Sequence, residues 1–263
     1  VLLVDTTAPS MPGTPYTTTP TNDDTPAWTW DPSIDAGVGL TATPYTIQWS
    51  MYADFSNVAG NTTSSTASFT HGGELADGTW YIRVNARDTL LNQSAWSPTG
   101  TVTIDTVEPD VPEAPSTTTP TNDNTPTWTW AVPDDNAGGV GLAATPYEVE
   151  WSQDEEFNTV TDSTTTSAPT YTHSASLAEG TWYFRVRATD LANNTSAYSE
   201  PGEVYIDVTA PTVHGDPTTS DTVNDNTPTW TWLVSTDSGG IGMATPAYEV
   251  EWSEDDTFTN DVF

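Results

Sequence analysis

Acidic side chains are the first candidates for chemistry in this sequence. Asp and Glu together number 37 against 4 Lys+Arg, for a formal net charge of −33. Oxygen-rich clusters suit two tasks. They ligate hard cations such as Ca2+, which takes roughly six to eight oxygens in irregular geometry. They also act as acid and base in glycoside hydrolysis, where a carboxylate pair faces a cleft at a set separation. No EF-hand loop and no glycine-rich nonapeptide is present, so a cation site must be assembled from distant parts. The acids recur in phase with a domain-length repeat, whereas a hydrolytic site need not be repeated. The sequence therefore reads as non-catalytic.

Other reactive types point the same way. His71 and His173 hold matching places in successive repeats, which suits turn residues better than a dyad, and His214 lies in a linker. The runs Gly138-Gly-Val-Gly141 and Gly239-Gly-Ile-Gly242 lack the lysine and the following helix of a phosphate loop. No motif for an organic cofactor is present. Cysteine is absent, which removes disulfides, thiolate nucleophiles and cysteine zinc sites. The negative charge disfavours nucleic acid and anionic membrane. No apolar run approaches the ~20 residues of a membrane span, so direct insertion is not expected. Aromatic residues make up 11% and hydrophobic residues 35%, enough to bury a core.

The chain repeats. Thr25-Pro-Ala-Trp-Thr-Trp30 recurs as Thr125-Pro-Thr-Trp-Thr-Trp130 and Thr227-Pro-Thr-Trp-Thr-Trp232. Asp5-Thr-Thr-Ala-Pro9, Asp105-Thr-Val-Glu-Pro109 and Asp207-Val-Thr-Ala-Pro211 keep the same phase. So do Trp49, Trp151 and Trp252, and the pair Trp80 and Trp182. A period of about 100 residues is a whole domain. Residues 5–104 read as a first repeat, 105–206 as a second, and 207–263 as the N-terminal half of a third. Residues 1–4 read as the last strand of a preceding repeat. The chain is expected to be a piece of something longer.

Within each repeat the hydrophobic period is two, which predicts strands. Trp182, Phe184, Val186 and Ala188 alternate with Tyr183, Arg185, Arg187 and Thr189. Tyr147, Val149 and Trp151 alternate with Glu148, Glu150 and Ser152. Short strands broken by Pro, Gly, Asn and Asp predict an all-β antiparallel sandwich. Trp28, Trp30, Trp49 and Trp80 face inward in this pattern.

The segments Leu75-Ala-Asp-Gly-Thr-Trp-Tyr-Ile-Arg-Val-Asn-Ala-Arg-Asp88 and Leu177-Ala-Glu-Gly-Thr-Trp-Tyr-Phe-Arg-Val-Arg-Ala-Thr-Asp190 resemble strand F of fibronectin type III-like bacterial surface repeats. Trp30, Trp130 and Trp232 resemble the strand B tryptophan. The run from Tyr147 to Ser152 resembles strand C. The Asp-Thr-x-Ala-Pro and Thr-Asn-Asp-x-Thr-Pro signatures are similar to Ig-like repeats of giant bacterial adhesins. The resemblance implies tandem seven-stranded sandwiches. It departs at the corner after the Gly-Thr turn, where Trp80 and Trp182 stand in place of an inward tyrosine. Their indole N–H can donate to a backbone carbonyl but cannot accept.

In that fold the B–C and F–G loops lie where the chain enters a domain, and the A–B and E–F loops where it leaves. The joint between repeats then gathers Asp105, Glu108 and Asp110 from the linker with Asp134, Asp135, Asp190 and Asn194 from the entry pole. The preceding exit pole adds Asn22, Asp23, Asp24, Glu74 and Asp77. The next joint offers Asp207, Asp237, Asp123, Asn124 and Glu179. Ca2+ at these joints would turn repulsion into rigidity. The competing reading is ordinary solvated turns, since Asp and Asn favour Asx turns. High acidity without lysine also fits a saline habitat.

The arginines Arg83, Arg87, Arg185 and Arg187 share one outer strand face, with Glu148 and Glu150 as expected partners of the second pair. Trp96 is replaced by Tyr198 in the next repeat. Asn61, Asn92, Asn193 and Asn194 begin glycosylation sequons. The resulting expectation is a structural stalk, extender or fibre segment of an extracellular cell-surface protein. Other copies of the repeat or chain would be its partners. Two alternatives stand beside it: a self-assembling filament or surface layer completed by strand exchange, and an adhesin module binding glycans or a receptor.

Overall fold

A computed structural model describes residues 4–219, 227–237, 240–254 and 258. It contains twelve strands and no helix among the described residues. Repeat 1 holds β1 (Ala27–Thr29), β2 (Leu40–Ser50), β3 (Gly60–Ser64), β4 (Ser68–Thr70), β5 (Gly78–Asp88) and β6 (Gly100–Ile104). Repeat 2 holds β7 (Thr127–Thr129), β8 (Leu142–Ser152), β9 (Asp162–Thr166), β10 (Thr170–Thr172), β11 (Gly180–Asp190) and β12 (Gly202–Ile206). In each repeat a four-stranded sheet (β3-β2-β5-β6 or β9-β8-β11-β12) faces a two-stranded one (β1-β4 or β7-β10). All these pairings are antiparallel. This is the fibronectin type III-like sandwich.

The expected seventh strand is reduced to isolated bridges. Tyr16 bridges Thr29 of one sheet, and Thr21 bridges Ile104 of the other in parallel. Ser116 with Thr129 and Thr121 with Ile206 repeat the arrangement. The first segment thus touches both sheets and closes one side of the sandwich.

Alternation decides what is inside. On β11, Trp182, Phe184, Val186 and Ala188 are buried, and on β5, Trp80, Ile82, Val84 and Ala86 are buried. Full burial of such a Val, Ile or Phe contributes roughly 1.5–3 kcal/mol. Phe184 stacks on Trp128 of the opposite sheet, with centroids 4.9 Å apart. Trp30 meets Tyr45 edge-on at 5.4 Å, and Trp130 meets Tyr147 at 5.3 Å. The indoles of Trp80 and Trp182 donate to the carbonyls of Ala76 (2.8 Å) and Ala178 (2.9 Å). They fix the corner that a tyrosine hydroxyl would otherwise hold.

Outside, Arg185 pairs with Glu150 at 2.7 Å and Arg187 with Glu148 at 2.6 Å, one strand across. Part-exposed pairs of this kind are worth up to about 1 kcal/mol each. In repeat 1 the partner of Arg83 is neutral Gln48. Arg83 lies between the rings of Phe55 and Trp96, and Arg185 between Phe157 and Tyr198. Phe55 and Phe157 reach those places at positive φ, 55° and 52°. Arg87 is exposed and forms no ion pair among the described residues.

His173 departs from its expected role as a turn residue. It is only 4% exposed, and its Nε2 accepts the indole N–H of Trp128 at 3.2 Å. Its counterpart His71 is half-buried and hydrogen-bonds through Nδ1 to the carbonyl of Gly73. Periodicity placed both beside a strand but could not show that one ring would be enclosed.

In residues 207–263 the expected strands A to C are represented, among the described residues, by a single bridge between Thr218 and Thr231. Trp252 is 61% exposed where its counterpart Trp151 is 8%. Val4 is exposed and outside any strand, and residues 1–3 of the expected preceding strand lie outside the described residues.

Two predictions follow from buried polar groups. Asn85 is 1% exposed, and neither amide atom has a partner. Asn85→Leu should therefore stabilise repeat 1 by about 1 kcal/mol in urea denaturation. Burial pushes the His173 imidazole down from 6.5 to about 4. Its neutral form supports the fold fully above pH 6.5, and that support is lost as pH falls toward 4. Between those pH values wild type should lose roughly 2–4 kcal/mol more than His173→Gln.

Candidate metal centre

Asp105 directly follows Ile104, the last residue of β6. Its backbone N–H still pairs with Thr21 of repeat 1 at 3.0 Å. Its side chain belongs to repeat 2. There it meets Asp135 of the loop before β8 and Asp190 at the end of β11, with one carboxylate oxygen from each within 4.8 Å of the others. Repeat 1 has the same constellation in Asp5, Asp35 and Asp88. Asp88, Asp105 and Asp190 are 0%, 2% and 2% exposed.

The donors around these oxygens are neutral. Val140 N (3.0 Å) and Val107 N (3.2 Å) donate to Asp105. Gly141 N donates to Asp135 at 2.6 Å, and Asn136 N at 3.1 Å. Asn194 gives its backbone N–H (2.8 Å) and its amide (2.7 Å) to Asp190. The same amide donates to the carbonyl of Asp105 at 2.8 Å. Asn92 repeats this pattern with Asp88 and the carbonyl of Asp5. In repeat 1, backbone N–H groups of Thr7 and Val38 hold the Asp5 carboxyl below its usual range. No arginine pairs with either triad. Carboxylate oxygens held within 4.8 Å of one another repel when ionised. The neutral N–H groups soften that repulsion without cancelling the charge.

A glycine packs closely against the carboxylates at each of these places. A Cβ at Gly139 would run into the Asp135 carboxylate, and one at Gly37 would run into that of Asp5. At Gly240 it would meet both Asp207 and Asp237. The donor set fits a hard cation: carboxylate oxygens, no sulfur and no imidazole.

The other expected ligands fall elsewhere. Glu108, Asp110 and Asp134 are exposed, outside the triad. The Asp134 carbonyl accepts the N–H of Asp110 at 2.9 Å. Asp23 and Asp123 each accept both the N–H and the hydroxyl of the threonine two residues on, at 2.8–2.9 Å. These are local Asx turns. Asp24 borders a separate hollow with Glu74, Asp77 and Thr106. Asp207 and Asp237 receive Ile241 N (3.2 Å) and Gly242 N (3.0 Å), as two members of a third copy. Asn194 supports the ligands through its N–H groups rather than offering an oxygen. Across the joint, Asn22 donates to the carbonyl of Asn193 at 3.4 Å. Of the sequon residues, Asn61 and Asn193 are exposed, whereas the Asn92 and Asn194 amides are engaged in the triads.

The triad in repeat 1 is absent from the expected ligand set. The common phase of Asp5, Asp105 and Asp207, and of Asp88 and Asp190, carries the signal that would have found it.

No family model matches the chain. It is similar to Exoglucanase B of Cellulomonas fimi, 35% identical over 247 residues, covering 86% of this chain and 21% of that protein. It is also similar to Chitinase A1 of Niallia circulans, 31% identical over 202 residues, covering 74% of this chain and 26% of that protein. A crystal structure of the chicken CNTN1 FN1–FN3 domains matches with TM-score 0.44 and 12% identity, covering 75% of this chain and 68% of that one. The chain spans about a fifth to a quarter of the length of these curated relatives.

Crowding at the triad is directly testable. Gly139→Ala should destabilise repeat 2 by about 1–3 kcal/mol in urea denaturation. Gly72→Ala, where a Cβ meets nothing within 4 Å, should change stability far less.

Proposed function

We propose that this chain is a non-catalytic spacer array of an extracellular protein, with Ca2+ bound at the entry pole of each complete repeat. One observation carries the reading. The same partly buried carboxylate triad recurs in both complete repeats, and its first member in repeat 2 grows directly out of the last strand of repeat 1. Asp105, Asp135 and Asp190 would hold one ion, and Asp5, Asp35 and Asp88 another. Bound Ca2+ would offset the mutual repulsion and fasten the linker to the domain that follows. Other polar contacts already tie the linker to the domain behind. Asp77 accepts Thr106 N–H at 3.1 Å, and Glu179 accepts Val208 N–H at 2.9 Å in the next joint.

The printed names of the relatives favour a particular setting. Both are polysaccharide-acting enzymes of which the matched region is a minor part. Spacing a catalytic domain from other parts of such an enzyme is the use we favour, ahead of a cell-surface stalk. Mutual strand completion between copies, and adhesion to a receptor, remain outside this proposal.

Removing divalent ions with EDTA should lower the melting temperature and broaden the distance distribution in small-angle scattering. Restoring Ca2+ should reverse both changes. Asp135→Asn should abolish the Ca2+ response of repeat 2 while repeat 1 keeps its own. Identical melting and scattering with Ca2+ and with EDTA would refute the ion-stiffened joint.

A further inference from the structure

A second concavity lies away from the joints, at the open edge of repeat 2 between β9 and β10. It is a groove of about 370 Å³, within the range of small-ligand sites. Trp151 and Tyr171 form an aromatic wall, stacked with centroids 5.4 Å apart. Asp162, Ser163, Thr164, Ser174 and Ser176 supply hydroxyl and carboxylate groups.

His173 completes the wall, its ring edge-on to those of Trp151 and Tyr171. The Trp128 indole donates to its Nε2, so the proton of the neutral ring sits on Nδ1. That N–H makes no hydrogen bond among the described residues and is not fully enclosed, so it is open to the groove.

Repeat 1 shows how the groove is opened. Gly60 stands opposite Trp49 in the register where Asp162 stands opposite Trp151. The Trp49 indole packs directly on Gly60, where a Cβ would overlap its ring atoms. Asp162 cannot accept an indole in that place, so the space beside Trp151 stays free.

We propose that this groove binds a neutral saccharide ring, with its C–H face on the Trp151–Tyr171 wall and its hydroxyls on His173 Nδ1–H, Asp162 and the serines. No cation lines it, which disfavours anionic ligands. The imidazole donor and the hydroxyl rim match a polyol better than an amine or an aliphatic chain. The site is independent of the Ca2+ proposal, since none of its residues belongs to a triad.

The test is an NMR titration of the full 263-residue chain with maltose, cellobiose or di-N-acetylchitobiose at millimolar concentration. At least one sugar should shift the Trp151 indole and His173 ring signals while leaving Trp49 unmoved. Ser176→Trp, an exposed position that would fill the groove, should weaken that binding about tenfold or more. No shift with any of these sugars, equal shifts at Trp49, or unchanged binding in Ser176→Trp would each overturn the proposal.

Discussion

Two-residue alternation along β5 and β11 is the constraint on which the rest depends. Each strand presents a tryptophan, a large apolar residue, a valine and an alanine to one side. The order tapers from bulky to small along the strand. Just past the smaller sheet's strands, Trp30 and Trp130 meet Tyr45 and Tyr147, whose cross-strand partners are Ala86 and Ala188. The same alternation puts arginines outward, where aromatic rings and strand C carboxylates receive them. A one-residue slip would bury Arg185 and expose Phe184, so packing and charge select the same register.

The strand ends also determine where charge collects. β11 ends at Asp190 after Ala188 has closed the core, and β6 ends where Asp105 begins. The acids are held in place because the strands that carry them are. This explains how carboxylates come to be buried in a chain whose acidity otherwise faces solvent. The exposed acids of the Asp23 and Asp123 turns serve only their local backbone.

Much of this was legible in the sequence. Period-two patterning gave strand faces. Inward Trp80 and Trp182 followed from alternation; that their indoles bond the carbonyls of Ala76 and Ala178 is seen only in the structure. The Arg185–Glu150 and Arg187–Glu148 pairs followed from strand neighbours. The candidate site was only partly visible. Asp105, Asp135 and Asp190 stood among fourteen candidate acids, but spacing could not separate them from Asp134 or Glu108. That choice depends on which way a loop turns a carboxylate, which Gly139 and the N–H of Val140 determine. The enclosure of His173 was not legible, because it depends on an inter-sheet contact with Trp128.

The passage from Ile104 to Asp105 has a mechanical consequence. There is no slack between these repeats: the last rung of one sheet and the first carboxylate of the next triad are adjacent residues. Tension along the chain would enter the second sandwich through the anchor point of its acid cluster, without first straightening a tether. In such an array, reach under load is set by the number of beads, and compliance by how firmly each triad grips a single side chain.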